Sequence, residues 1–434
     1  MYNIKKIFSE LSNNELVSKS VRVLLLRVLG VLLFFSTTLF ITNFFDPETV
    51  GKYDFTRSAL IILGGLSVIG MNQSIIYYSG YLVSNNAFNH LKQLYTKMII
   101  IIFCISLTLG LLFILINDDF INSFFDKQVS NLILKAVATI FFYGLTMLNI
   151  DVFRAINKIY ISELYRNVFR FVFFFLAVIG VFYTNNSNWL VDVFLLNFLL
   201  LAIVSTTVLL YYFNKISLID KTFNFSYKTI IKRSWPMAIS TIALVLMQSV
   251  DVILLGKFTD FETVAYYSAA IKLTTIISLV LTSVNAVFAP KIAELYSNKD
   301  FLNLNLNLKK ATRLIFILTI PGIVLLAVFS TVFLSFFGEG YMQAKNALII
   351  LLLGQTVNAL CGSVGVYMNM TGKQNTLQII LIISFLLNLV LNWLLIPLYG
   401  MIGAAIATSI SMVLWNITGT IYLLKTDKIK TFLN

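Results

Sequence analysis

Four charged residues stand out within segments otherwise too apolar to hold them: Arg27, Arg57, Asp251 and Lys272. A charge near the middle of a membrane-spanning helix costs about 2.5–3.5 kcal/mol on insertion scales, so such a residue is expected to bind, couple or gate something. The three cations have the chemistry to offset the desolvation of an anion, and arginine adds a planar fork suited to phosphate. On a helix, Arg27 shares a face with Thr38, and Lys272 with Ser268, Thr275 and Ser283. Thr241, Gln248 and Asp251 fall in one polar sector, Gln355, Asn358, Gly362 and Asn369 in another, and Ser384, Asn388 and Asn392 recur at four-residue spacing. Such stripes line water or other helices, not lipid. Plainer readings stand beside these. Arg27 and Arg57 lie near helix ends and could snorkel to the interfaces, Asp251 and Lys272 could form a structural salt bridge, and the Asn and Gln stripes could be interhelical hydrogen bonds. Lys135 and Asp192 read as interfacial, and Gly403, Ala407 and Ser411 as a close-packing ridge.

The elements that must position these side chains are transmembrane helices. Hydrophobic residues make up 59% of the chain and charged ones only 12%, with 38 phenylalanines, a surplus no soluble core requires. A helical span needs roughly 20 apolar residues. Twelve segments qualify: 21–45, 57–83, 94–116, 130–153, 162–183, 189–213, 233–256, 265–290, 311–335, 344–370, 375–398 and 401–424. They are about twice the length of barrel strands, and backbone facing lipid must be satisfied internally, so the expected fold is all-α. The first segment does not read as a cleavable leader, being too long, with Arg22 and Arg27 near its start and no small-residue cleavage site.

The chain also repeats itself. DPETVGKY at 46–53 returns as DFETVAYY at 260–267, each time after the first span of a half and running in the same direction. Same-direction repeats imply two bundles related by an axis along the membrane normal. The expected division is a cytoplasmic segment 1–20, a six-helix bundle 21–213, a linker 214–232, a second six-helix bundle 233–424 and a tail 425–434. The net charge of +13 follows this topology. Lysines and arginines gather before span 1 (Lys5, Lys6, Lys19), after span 2 (Lys92, Lys97), after span 4 (Arg154, Lys158, Arg166, Arg170), in the linker (Lys215, Lys221, Lys228, Lys232, Arg233), after span 8 (Lys291, Lys299, Lys309, Lys310, Arg313) and in the tail (Lys425, Lys428, Lys430). The opposite loops carry Asp46, Glu48, Asp54, Asp118, Asp119, Asp126, Asp260 and Glu262. The positive-inside rule then places both termini in the cytoplasm. The N-terminal segment suggests a short amphipathic helix on the membrane surface, and FLNLNLNLKK at 301–310 an interfacial strand or helix.

Several chemistries are excluded. The chain has no GxxxxGK[ST] phosphate loop, so it does not hydrolyse ATP itself. Its one histidine, His90, is expected in a solvated loop, which leaves no histidine-based metal site or triad, and Cys104 and Cys361 read as small packing residues within spans. No cofactor, metal or nucleic-acid site is expected, and short exported loops leave little room for an enzyme.

At this point the chain resembles a known family. SWPMAISTIALVLMQSVDVILLGKFTDFETVAYYSAAIKL at 234–273 and FAPKIAELYS at 288–297 are similar to the central signature of the polysaccharide-transporter family, whose superfamily also holds multidrug exporters and lipid II flippases. FGEGYMQAKNALIILLLGQ at 337–355, MTGKQN at 370–375 and IPLYGMIGAAIATSIS at 396–411 resemble its later landmarks. The resemblance implies a MATE-like fold and a flippase of O-antigen type. Its cargo would be an undecaprenyl-diphosphate-linked oligosaccharide, its setting the inner membrane and membrane lipid, and its partners a polysaccharide polymerase and a chain-length regulator. Alternating access of two bundles, driven by a proton or sodium gradient, is the implied mechanism, with Asp251 as the candidate for a coupling ion or a gating contact. Two rivals remain: a multidrug or metabolite exporter of the same superfamily, and a non-transporting scaffold of a polysaccharide assembly complex. Arg27, Arg57 and Lys272 against Asp251 make the intramembrane charge lean positive, which favours an anionic cargo.

Overall fold

A computed structural model of the chain describes residues 15–84, 87–215 and 225–433. The N-terminal segment up to residue 14 and the part of the linker at 216–224 lie outside them. The described residues form helices and no strand, and twelve helices are long and apolar enough to cross a membrane: Leu25–Phe44, Pro47–Val83, Phe88–Leu115, Ser130–Ala155, Ile159–Tyr183, Trp189–Phe213, Tyr227–Phe258, Phe261–Ser297, Phe301–Val328, Glu339–Cys361, Gln374–Tyr399 and Met401–Thr426. They are spans 1 to 12 below.

The repeated motif turns out to be a pair of helix starts. Asp46 accepts from the Thr49 backbone N–H at 2.8 Å, and Asp260 accepts from that of Thr263 at 2.7 Å. Each carboxylate satisfies an orphan donor of the first turn and sits at the positive end of the helix, with Glu48 or Glu262 adding negative charge there. Val50 and Val264, the shared valines, are fully buried. These caps start spans 2 and 8 at Pro47 and Phe261, earlier than the apolar runs from 57 and 265 suggest. The difference matters, because it draws Asp54 into the third turn of span 2. Asp300 caps span 9 in the same way through the Asn303 N–H at 3.1 Å. FLNLNLNLKK is therefore the opening of that span, burying Leu304 and Leu308 while Asn303 is exposed and Asn307 half-buried.

Breaks occur where glycine permits them. Span 2 is interrupted at Ile69 and Gly70, both at positive φ, and a side chain at Gly70 would collide with the Ser234 carbonyl and the Ala238 backbone. Gly362, at φ 71°, ends the helix Lys345–Cys361, and a short helix Val364–Met370 follows. The apolar run 344–370 is thus two helices, not one continuous span.

Packing groups the residues into two compact units. Among the described residues, one holds those up to Phe44 with those in Leu63–Asn117 and Ser130–Ala238; the other holds those in Phe45–Ile62, in Asp118–Val129 and from Ile239 onward. The first has its core around Ile75, Leu94, Met98, Leu148 and Phe153, and it also covers His90, which is 7% exposed and not solvated. A short turn at Phe88–His90 folds that imidazole inward, where its Nδ1 meets Gln93 Oε1 at 3.2 Å. In the second unit the amphipathic segment Asp118–Phe125 is stitched to the end of span 7: Lys127 Nζ donates to the carbonyls of Gly256 and Thr259, and Lys257 Nζ to that of Phe124. Lys127 thereby occupies carbonyls that the end of span 7 leaves without intrahelical donors.

Candidate functional site

In the first unit, span 1 brings Arg27 to span 5. Its Nε and Nη2 donate to the two oxygens of Glu163 at 3.2 and 3.0 Å, a bidentate fork. Glu163 also accepts from Arg154 Nη2 at 3.1 Å and Asn167 Nδ2 at 2.7 Å. Arg154 lies 3.6 Å from Asp151, which accepts from Arg166 Nη2 at 2.6 Å and Asn72 Nδ2 at 3.3 Å. Two local features allow this convergence. Leu164–Phe169 is a π-helical turn, wider than an α-turn and common at functional sites. Gly30, one turn after Arg27, lets span 1 approach that turn so closely that a Cβ would sit 2.4 Å from the Asn167 carbonyl oxygen. The carboxylate side chains are 1% and 7% exposed, whereas those of Arg27, Arg154 and Arg166 are 47%, 33% and 36% exposed. The acids hold the guanidinium groups from beneath and leave their outer edges accessible.

In the second unit, Lys272 Nζ donates to Asp54 Oδ2 at 2.8 Å with both side chains buried, and Arg57 Nη1 lies 3.7 Å from Asp54 Oδ1. Lys272 therefore pairs with Asp54 of span 2 and not with Asp251, which removes the plainer reading of those two residues as one salt bridge. Asp251, fully buried, accepts from Tyr267 Oη at 2.6 Å, Thr408 Oγ1 at 3.1 Å and the Val252 N–H at 2.8 Å. Asn388 reaches Thr408 at 3.5 Å and Asn392 reaches Asn388 at 3.1 Å, with Asn392 Oδ1 buried and unpartnered. Among the described residues no cationic side chain pairs with Asp251.

The remaining candidates divide. Gln355 donates to Ser278 Oγ at 3.0 Å and Asn358 to Gln355 at 3.3 Å, so spans 8 and 10 share a polar seam. Ser268 is buried with no partner for its hydroxyl. Thr38 is buried and bonded back to Phe34 O at 2.8 Å, as hydroxyls in apolar helices commonly are. Gln248, Thr275 and Asn369 are exposed.

The polysaccharide biosynthesis protein family model matches residues 16–296, well over half of the chain. The chain belongs to that family. A second model, MatE, matches residues 236–394, the region of the central signature and beyond. The chain is 28% identical over 198 residues to a putative O-antigen transporter of Shigella flexneri, covering 44% of this chain and 46% of that protein. It is 28% identical over 165 residues to a probable low-salt glycan biosynthesis flippase of Haloferax volcanii, covering 37% and 34%. It is 32% identical over 165 residues to a capsular polysaccharide biosynthesis protein of Staphylococcus aureus, covering 36% and 39%. The matches span less than half the length of these relatives. Among solved structures, the lipid II flippase MurJ in an inward closed conformation aligns with TM-score 0.68 and 18% identity over 94% of this chain and 87% of that one. An inward-facing multidrug resistance MATE transporter of the MOP superfamily aligns with TM-score 0.70 and 14% identity over 91% and 93%. These likenesses establish the MATE-like fold of a multi-pass membrane protein.

Sequence reasoning misses the acids. It assigns Asp54 to a loop and Arg166 and Arg170 to loop cations after span 4, yet all three lie within spans. With Asp54, Asp151 and Glu163 buried there as well, Arg27, Arg57 and Lys272 each face a carboxylate, so the four singled-out charges overstate the free positive charge. The signal for Asp54 is present in the sequence: an Asp46 cap places Asp54 two turns inside a helix and one turn before Arg57. For Glu163 nothing local points to Arg27, which is distant in sequence.

Proposed function

We propose that this protein is a flippase that carries an undecaprenyl-diphosphate-linked oligosaccharide, an O-antigen or similar surface-polysaccharide repeat unit, across the cytoplasmic membrane. One observation carries the reading. Arg27, Arg154 and Arg166 present accessible guanidinium edges above covered carboxylates, so what a cargo meets is cationic although the cluster is close to balanced. A diphosphate entering hydrocarbon needs such charge-assisted donors, whereas its lipid tail does not. A cationic drug would be repelled from the same surface. The names of the similar proteins from Shigella flexneri and Haloferax volcanii, an O-antigen transporter and a glycan flippase, support the cargo class.

Arg57 and Lys272 are assigned to the same cargo, and Asp251 to the coupling ion. A buried carboxylate that accepts from Tyr267 and Thr408, with Asn388 and Asn392 continuing the polar chain beyond Thr408 and no cationic partner among the described residues, suits a proton or sodium ion. Alternating access of the repeat-related halves 21–213 and 233–424, with both termini cytoplasmic, completes the mechanism. A polymerase and a chain-length regulator are the proposed partners. The test is the leaflet distribution of lipid-linked glycan in cells lacking the protein. The expected result is precursor trapped on the cytoplasmic leaflet without sensitivity to cationic dyes; an unchanged distribution together with dye sensitivity would establish the multidrug-exporter rival instead.

A further inference from the structure

We propose that Asp54 is an internal counter-anion that holds the place of the cargo's phosphate between Arg57 and Lys272, and that it ties span 2 to span 8 until a phosphate displaces it. The inference rests on the flippase reading for the identity of the displacing group and on the geometry alone for the tie.

Two of the three cations singled out for cargo converge on this one carboxylate, Lys272 at 2.8 Å and Arg57 at 3.7 Å. Asp54 satisfies them poorly. An ionised carboxylate has about four acceptor sites, yet Oδ1 accepts no hydrogen bond and is buried. The Arg57 guanidinium stops short of hydrogen-bonding distance from it. A phosphate group offers more charge and more oxygens than the carboxylate, enough for both cations together. A second buried polar group waits on the same side of span 8: Ser268, one turn before Lys272, has a hydroxyl without a partner and is 4% exposed. Exchange is feasible because a buried ion pair gives up in desolvation much of what it gains in attraction.

The tie is placed where it can hold the seam. One turn toward the start of span 2, Gly51 lies against the Phe261 backbone of span 8. Phe55, next to Asp54, packs on Phe125 and Phe261 with ring centroids 5.6 and 5.7 Å apart, and against Gly256. Aromatic packing and close backbone contact thus hold the helices here, with the buried Asp54–Lys272 pair beside them. When phosphate takes Lys272 and Arg57, Asp54 loses its ion pair, the crossing between spans 2 and 8 loses a charged link, and arrival of cargo becomes opening of the seam.

The experiment uses the full-length protein with Cys104→Ser and Cys361→Ala, which removes both native cysteines, and Ser268→Cys as reporter for N-ethylmaleimide. Farnesyl diphosphate is the probe and farnesol its uncharged control. Labelling is expected to be slow, to rise about tenfold or more with farnesyl diphosphate, and to ignore farnesol. Asp54→Asn is expected to label fast without probe, while Asp54→Glu, which keeps the charge, stays slow and probe-responsive. Asp54→Asn labelling at the parent rate in monodisperse protein overturns the tie. A parent that binds the probe in a thermal-shift measurement without faster labelling overturns the displacement. Either failure leaves the flippase reading to its own test in cells, and an unchanged precursor distribution there would not alter the Asp54→Asn result.

Discussion

Gly51→Ala measures how tightly spans 2 and 8 cross. A Cβ at Gly51 would lie 1.7 Å from the Phe261 carbonyl oxygen and 2.5 Å from its carbon, and ordinary contact begins near 3.4 Å, so the gap must roughly double. The obstacle is backbone, which no rotamer change relieves, so the helices themselves must separate. Overpacking of this kind costs about 1–3 kcal/mol, and a backbone collision belongs at the upper end. The substitution regains about 1 kcal/mol of helix propensity, leaving a net loss of about 2 kcal/mol. Gly65, in the same helix, has nothing within 4 Å of where a Cβ would sit, so Gly65→Ala keeps the propensity gain of about 1 kcal/mol without the collision. Unfolding in mixed micelles of increasing dodecyl sulfate, followed by tryptophan fluorescence, should therefore separate the two variants by about 3 kcal/mol. Gly51→Ala should also speed maleimide labelling of the Ser268→Cys reporter. Two variants of equal stability would refute the close crossing and the seam built on it.

Arg27→Ala should block surface glycan display at normal protein abundance, and Arg27→Lys should retain part of it, because charge survives while the two-toothed contact with Glu163 is lost; defects that merely track expression would remove Arg27 from the mechanism. Asp251→Asn should leave the protein folded but abolish the dependence of transport on an imposed proton or sodium gradient, checked in vesicles with each gradient in turn. At the chain's end, Asp427 accepts from Tyr367 at 2.6 Å and pairs with Lys373, while Thr431 O accepts from Thr312 at 2.6 Å, so the tail is docked. Burial raises the Asp427 carboxyl but the bonds from Lys373 and Tyr367 outweigh it, and the net direction is downward. A depressed folded-state value means that this docking is at full strength above the ordinary carboxylate range and is lost as pH falls through the lower folded-state value. A spin label on Lys430→Cys, an exposed position, should stay immobile at pH 5 and gain mobility only below about pH 4. Asp427→Asn should abolish that transition.

The spans are legible because each carries its own hydrophobic signal over some 20 residues, enough to outweigh any single polar residue. Span starts are less so. The apolar run of span 2 begins near Arg57, but the helix begins at Pro47, since a cap and an acidic first turn make a helix start without being hydrophobic. That ten-residue difference moves Asp54 from loop to interior and hides the partner of Lys272. The π-turn at Leu164–Phe169 is illegible for another reason: nothing in LYRNVF distinguishes it from ordinary helix until span 1 packs on it at Gly30.

The same limit explains why charge counting misjudges the site while its conclusion about cargo survives. A list of charged residues by segment weighs Glu163 and Arg27 equally, and the pair then cancels. What an entering ion experiences depends on which member of each pair faces it, because the low-dielectric side screens nothing and the open side is where solvent or cargo competes. Glu163 is covered and holds four donor contacts from Arg27, Arg154 and Asn167, so its charge goes into fixing the orientation of two guanidinium groups. Its removal would therefore weaken anion binding, although it deletes a negative charge. Glu163→Gln supplies the decisive contrast: simple electrostatics expects tighter binding of pyrophosphate, whereas a positioning carboxylate expects weaker binding, with the loss reduced in an Arg27→Ala background, where only Arg154 is left for it to orient. Tighter binding in Glu163→Gln would mean that the arginines act as independent point charges and that the forked geometry has no role.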